Sequence, residues 1–264
     1  MSLINELKRQ ARTRLGESQV RAIRQPLYSL LYGHDLPRLA LAFGTDKQRG
    51  HSYATCYQRH FQPLRHERLN LLEIGIGGYD DPKSGGESLR MWKAYFPKAQ
   101  IYGLDIHDKS WHDESRIKTF QGSQADGEVL RRVAAAIGSI DIIIDDGSHL
   151  NDHVIASFKM LFPLLSDRGL YVIEDVQTSY WDDFMGVRWG GSRDRAAPHT
   201  SMNFLKSLVD GLNHAEFLDA SYMPKDFDQT ITAIHFYHNI VFLQKGDNRE
   251  PSNLVQGQAG SPQQ

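Results

Sequence analysis

The sequence predicts an α/β fold in which a mostly parallel sheet carries helices on both faces. Three observations predict it. The run Ile140-Asp141-Ile142-Ile143-Ile144 lacks the alternation of a half-exposed strand and reads as a strand covered on both faces, as in a parallel sheet. Gly169-Leu170-Tyr171-Val172-Ile173 repeats that character. Between such runs stand stretches of helical spacing, the alternation that parallel crossovers require. A chain of 264 residues can bury a sizeable core as one domain.

The first residues have helical spacing. Leu3, Ile4, Leu7 and Ala11 suit one helix; Val20, Ile23, Leu27, Leu30 and Leu31 suit a second, which Pro26 is expected to break. Lys8, Arg9, Arg12, Arg14, Arg21 and Arg24 make this helical extension, residues 1–40, basic. It is either a solvated face or a contact for an acidic or membrane-surface partner. Gly44-Thr45-Asp46-Lys47 leads into His51, Tyr53, Tyr57, His60 and Phe61, which either line a ligand mouth or cap the sheet.

Asn70 to Ile74 is the first strand, running into Gly75-Ile76-Gly77-Gly78, where glycine lets the backbone approach a ligand. A dinucleotide fingerprint needs a further glycine where Asp80 stands, which disfavours a nicotinamide oxidoreductase. After an insert, residues 79–86, a helix from Ser88 to Phe96 is stopped by Pro97. The second strand, Ile101 to Leu104, ends in Asp105, an acid suited to a ribose. Strand, glycine turn, helix and strand-acid together point to a nucleoside ligand. Ile117 to Phe120 is a third strand, opening into Gln121 to Asp126, which either meets an adenine edge or caps the helix Gly127 to Ile137 through Ser123 or Asp126.

After the isoleucine strand, Val154 to Leu165 is a crossover helix. Gln177 to Gly191 is a long loop of the kind that forms lids, with Tyr180 and Trp181 either stacking on an acceptor or packing. A helix is expected over Met202 to Leu212, a strand over Glu216 to Tyr222, and a hairpin over Ile231 to Lys245 turning near His238-Asn239. Residues 247–264 read as a flexible tail. The sheet thus has five parallel strands followed by an antiparallel pair.

The chemistry concentrates where strands end. The isoleucine strand stops in Asp145-Asp146-Gly147-Ser148-His149, and the next stops in Glu174-Asp175. Charges are costly to bury, so these groups belong at the carboxyl edge of the sheet, where open α/β folds place ligands. Carboxylates so close repel unless a cation sits among them. The pattern suggests a divalent-metal site with a histidine base. The bland alternatives are a helix cap for Asp145 and Asp146, an ordinary strand end for Glu174 and Asp175, and a loop hydrogen bond for His149. His51, His60 and His235 are read as non-catalytic.

Several classes recede. Net charge of -2 gives no electrostatic case for nucleic acid, and Cys56, the single cysteine, forms no internal disulfide, which suits a reducing compartment. No apolar run reaches the roughly 18 residues of a membrane span, and residues 1–8 lack the apolar core of a secretory signal. A cytoplasmic protein is expected. The usual iron triad of two histidines and one carboxylate is the inverse of this rim.

Taken together, Glu73-Ile74-Gly75-Ile76-Gly77 and the order of strands resemble the class I S-adenosylmethionine (SAM) dependent methyltransferases. Segments 72–82, 88–93, 103–106, 145–149 and 173–175, with 44–47, resemble the macrocin and mycinamicin type of sugar O-methyltransferases from about residue 40 to 245, without the long N-terminal domain of the mycinamicin enzyme. The resemblance implies a Rossmann-like SAM domain over 41–246 with a C-terminal antiparallel hairpin and an N-terminal helical cap. It also implies that Asp146, Glu174 and Asp175 hold magnesium and that His149 is the general base. The expected cofactor contacts are Glu73, Gly75, Gly77, Ser88, Asp105, Gln124 and Asp145, with Asp145 either touching the cofactor or supporting the metal ligands from behind, not ligating the metal itself. The expected acceptor is a glycosylated small molecule, lipid or oligosaccharide, with a catechol as the near alternative, and the expected assembly is a homo-oligomer. A non-catalytic SAM-binding subunit, or a hydrolase or oxygenase using a carboxylate-bound metal, is the competitor from another class.

Overall fold

The computed structural model describes residues 17–252, with side chains from residue 25 onward. The helix proposed for Leu3 to Ala11 lies outside the described residues. Seven strands form one sheet: β1 (Asn70–Ile74), β2 (Gln100–Asp105), β3 (Ile117–Gln121), β4 (Ile140–Asp145), β5 (Leu165–Glu174) and, after a small hairpin of β6 (Asp183–Phe184) and β7 (Val187–Arg188), β8 (Ile231–Tyr237) and β9 (Ile240–Lys245). Their order is β3-β2-β1-β4-β5-β9-β8, with the first five parallel and the last two antiparallel. The strand order reverses between β1 and β4, and the crevice beyond that switch is the natural ligand position of such a sheet.

Both faces of the sheet are covered. Leu71, Ile101, Ile142, Ile144, Val172 and Phe242 point to one face. The helices α1 (Glu17–Tyr32), α2 (Leu36–Phe43), the short α3 (Asp46–Arg49), α4 (Tyr53–Phe61) and α5 (Glu87–Tyr95) lie on this side. Leu36, Tyr57, Phe61 and Trp92 bring three of them into the same cluster. Leu72, Ile74, Leu104, Ile143, Tyr171 and Ile173 point the other way, against α6 (Gly127–Ile137), α7 (Asn151–Leu161) and α8 (Ser201–Ser207); the short α9 (Asp226–Thr230) precedes β8. The consecutive isoleucines of β4 therefore alternate between two apolar layers, which is why alternation vanishes from their sequence.

Three expectations need correction. Pro26 lies inside α1 and does not break it. The lost hydrogen bond costs ~3 kcal/mol in an isolated helix, and here Tyr28 and Tyr32 pack on the core while the Ser29 hydroxyl donates to the Ala94 carbonyl at 3.0 Å. Glu216 to Tyr222 is no strand: a 3-10 helix covers Asp210–Glu216, then Asp219 accepts from the Ser221 amide at 2.9 Å and turns the chain. The helix expected from Met202 to Leu212 stops as an α-helix at Ser207. Beyond β9, Asn248 donates to the Asp228 carbonyl at 2.8 Å and the Ser252 hydroxyl to Glu216 at 2.6 Å, so residues 247–252 dock on the domain. Among the described residues no helix is long and apolar enough to cross a membrane.

Candidate active site and metal centre

The loop after β1 is shaped by its closeness to β4. Gly75 has φ +88°, and a Cβ there would stand 2.0 Å from the Asp146 carbonyl oxygen, so only glycine lets the two strand ends lie this close. The Asp146 amide donates to the Ile74 carbonyl at 2.9 Å, continuing the ladder past the last strand residue. Asp105, at the end of β2, accepts from the Ile76 amide at 2.9 Å and from the His107 amide at 2.9 Å. Each carboxylate oxygen offers two lone pairs, so acceptor capacity remains for a ligand hydroxyl. The insert 79–86 is held by the buried Lys109, whose ammonium donates to the carbonyls of Asp81 and Ser84 at 2.7 and 3.2 Å.

These elements enclose a cleft of about 530 Å³ whose lining includes Gly75, Gly77, Asp105, Gln124, Asp146 and His149. A smaller cleft of about 290 Å³, touching Thr45, Asp46, Gly77, Ser88 and Asp146, adjoins it. Two expected cofactor contacts stand behind the cleft wall instead. Glu73 is buried, accepting from the Trp92 indole at 3.2 Å, and Asp145 is buried between the Gln124 amide at 2.9 Å and the Ser157 hydroxyl at 2.6 Å. Burial raises both carboxyl pKa values. Their strand positions point them into the layers, so they support the cleft without lining it.

At the carboxyl edge, ligand atoms of Asp146, His149 and Asp175 all lie within 4.8 Å of one another. His149 Nε2 is 3.6 Å from Asp175 Oδ2 and 3.9 Å from Asp146 Oδ1, past hydrogen-bonding range of either. The side chains of Asp146, His149 and Asp175 are 21%, 22% and 16% exposed, enough for solvent and a ligand to reach them. His149 (φ +57°) and Asp175 (φ +55°) both hold left-handed backbone, which costs energy at a residue with a Cβ and recurs at functional sites. Hard carboxylate oxygens with one imidazole, gathered at a solvent-reachable rim, fit a divalent cation.

The fourth carboxylate of the rim behaves differently. Glu174 is buried, and its Oε1 accepts from Lys47 Nζ at 2.6 Å and from the Tyr57 hydroxyl at 2.5 Å. Lys47 also donates to Asp146 Oδ2 at 2.6 Å and lies 3.2 Å from Glu73 Oε1. Burial would lower the lysine pKa, but Asp146, Glu174 and Glu73 reverse that and hold it well above its ordinary value. Burial, helped by Asp146, pushes Glu174 up against the opposing pull of Lys47 and Tyr57. The Tyr53 hydroxyl donates to Asp175 Oδ1 at 2.6 Å, and His51, stacked on Tyr53 at 4.6 Å, stands 3.8 Å from the same oxygen.

Proteins similar to this chain are known. The chain is 48% identical over 220 residues to the 8-demethyl-8-alpha-L-rhamnosyl tetracenomycin-C 2'-O-methyltransferase of Streptomyces olivaceus, covering 82% of this chain and 57% of that one. It is 47% identical over 218 residues to the demethylmacrocin O-methyltransferase of Streptomyces fradiae, covering 82% and 54%. Among solved structures, the MycE methyltransferase of the mycinamycin biosynthetic pathway, in complex with Mg and SAH, superposes with a TM-score of 0.78 at 45% identity, over 86% of this chain and 60% of that one. Over this shared region the chain is similar to the macrocin and mycinamicin type of sugar O-methyltransferases. No protein-family model matches it. The chain spans little more than half the length of these curated relatives, and the likeness holds over the shared region.

The structure brings Asp146, His149, Glu174 and Asp175, the residues singled out in the sequence, to one rim, and adds neighbours that the sequence did not single out for this place. Lys47 stood out only as the end of the segment Gly44-Thr45-Asp46-Lys47, and its bridging role carries no local signal, because its partners Asp146 and Glu174 are 99 and 127 residues away. The aromatic density around Tyr53 and Tyr57 was the one visible clue. His51, read as non-catalytic, faces Asp175.

Proposed function

We propose that this chain transfers a methyl group from SAM to a hydroxyl of a glycosyl residue, such as a deoxysugar carried by a polyketide or lipid aglycone, with a divalent cation, magnesium, at the carboxylate rim. The observation that carries the reading is the gathering of Asp146, His149 and Asp175 beside the glycine-lined cleft. The names of the relatives, O-methyltransferases of a rhamnosyl tetracenomycin and of demethylmacrocin, support the acceptor class. In this reading Gly75, Gly77, Asp105, Ser88 and Gln124 receive the cofactor, and Asp146, Glu174 and Asp175 hold the cation.

When bound, the sulfonium cofactor supplies the methyl group, and the cation supplies positive charge that eases loss of the hydroxyl proton. The chain's own residues do the rest. His149 Nε2 takes the acceptor's proton, a role histidine fills near neutral pH and one worth ~10²–10⁴-fold. Tyr53 holds Asp175 by Oδ1, leaving Oδ2 on the His149 side. The Asp146 backbone touches the cofactor loop at Gly75 while its side chain belongs to the rim, so one residue fixes both halves of the site.

The test is calorimetric titration with S-adenosylhomocysteine and with Mg²⁺, on the wild type and on Asp146→Ala. Cofactor binding in both, with Mg²⁺ binding only in the wild type, supports the two-part site. Absence of S-adenosylhomocysteine binding by the wild type overturns the methyltransferase reading.

A further inference from the structure

We propose that Lys47 is a tethered internal cation that grips Asp146 and Glu174 by one oxygen each and keeps the rim assembled while no divalent cation is bound. The assignment deepens the metal-site reading above and rests on it. Lys47 is 1% exposed and comes from α3, well before β1 in the chain. Its ammonium touches carboxylates from three neighbouring strands: Glu73 of β1 at 3.2 Å, Asp146 just past β4 at 2.6 Å, and Glu174 of β5 at 2.6 Å.

Three carboxylates so close repel one another strongly in a site with little water. The Tyr57 hydroxyl and Trp92 indole satisfy single oxygens there but bring no charge. A positive charge is needed, and a lysine built into the fold supplies it at every stage of the cycle. The grip is also selective. On Asp146 it takes Oδ2, leaving Oδ1 on the side of His149 and Asp175. On Glu174 it shares Oε1 with Tyr57, so both donors converge on one oxygen of that carboxylate. Lys47 is therefore a positioning residue, acting on the acceptor hydroxyl only through the carboxylates it aims.

The experiment compares thermal unfolding of the full chain in EDTA and in excess Mg²⁺ for the wild type, Lys47→Gln and Lys47→Met. Gln keeps a hydrogen-bond donor and removes the charge; Met keeps the length and removes both. If the assignment holds, Lys47→Gln in EDTA melts about 10 °C below the wild type, as expected for carboxylates left without their buried counter-charge, and Mg²⁺ recovers more than half of that loss. Its Mg²⁺-induced shift then exceeds the wild-type shift at least two-fold. Lys47→Met folding only with Mg²⁺ present is the same result in a stronger form. Equal losses with and without Mg²⁺ mark a merely structural lysine and overturn the assignment, as does no loss at all. A wild type whose melting is unmoved by Mg²⁺, and which binds none, removes the metal reading itself, a failure visible without either variant.

Discussion

Gly75→Ala tests how tightly the cofactor loop and the metal rim are joined. At φ +88° an alanine incurs about 1–2 kcal/mol of left-handed backbone strain. Its Cβ would also start 2.0 Å from the Asp146 carbonyl oxygen and 2.7 Å from the carbonyl carbon, both backbone atoms that cannot swing aside. Ordinary contact begins at 3.4 Å, so the two chains must part by more than 1 Å. That parting breaks or stretches the 2.9 Å ladder bond from the Asp146 amide to the Ile74 carbonyl, a further ~1 kcal/mol. The expected total is about 2–3 kcal/mol, and a displacement of this size at a reacting geometry costs about 10²-fold in rate. The assay is urea unfolding together with S-adenosylhomocysteine titration and turnover on a rhamnosyl glycoside. Wild-type stability combined with wild-type cofactor affinity and rate would refute the coupling of loop and rim.

Other consequences follow from single contacts. Asn151 is buried, its side-chain amide donates to the Thr178 and Trp189 carbonyls, and its oxygen accepts from the Ser179 hydroxyl and the Ser201 amide. Asn151→Ala is therefore expected to cost about 2–4 kcal/mol and to make the β6–β7 hairpin the first site of limited proteolysis; an unchanged cleavage pattern counts against Asn151 as the hairpin's anchor. Ile143→Ala empties a fully buried position between β4 and α7 and should cost about 2–5 kcal/mol, read as a lowered urea midpoint. Burial, with His235 and Arg59 adding to it, lowers the His60 pKa to about 4. A neutral His60 is favoured in the folded chain, so its contribution is present above the unfolded value near ~6.5 and is lost as pH falls toward 4. His60→Gln should accordingly shrink the drop in urea midpoint between pH 7.5 and pH 5, and an unaltered pH slope would contradict the assignment.

How far the sequence carried the structure depends on where each signal lay. Buried parallel strands are written locally, as in Ile140 to Ile144, and so is the acid that ends β2, because covered strands need continuous apolar runs and their charges must lie beyond the edge. Which of two adjacent acids faces the cleft was not written there. Asp145 and Asp146 look equivalent by residue type, and only the resemblance told them apart; the pleat turns the first into the layer beneath and leaves the second at the rim. Glu73, expected to contact the cofactor, is buried against Trp92, because its place on β1 turns it into the layer. The Lys47 bridge was invisible because it joins segments about a hundred residues apart, and only the folded sheet brings its partners to one point. Pro26 and Glu216 to Tyr222 misled because local propensity was overridden by packing in one case and by side-chain turns in the other.

Transfer of the methyl group from labelled SAM to a rhamnosyl polyketide glycoside, run with Mg²⁺, with EDTA, and with His149→Ala, tests the central claim most directly. The account predicts transfer with Mg²⁺, its loss in EDTA with recovery on adding excess Mg²⁺, and a fall of ~10²–10⁴-fold in His149→Ala. Undiminished transfer in EDTA, or by His149→Ala, would contradict it.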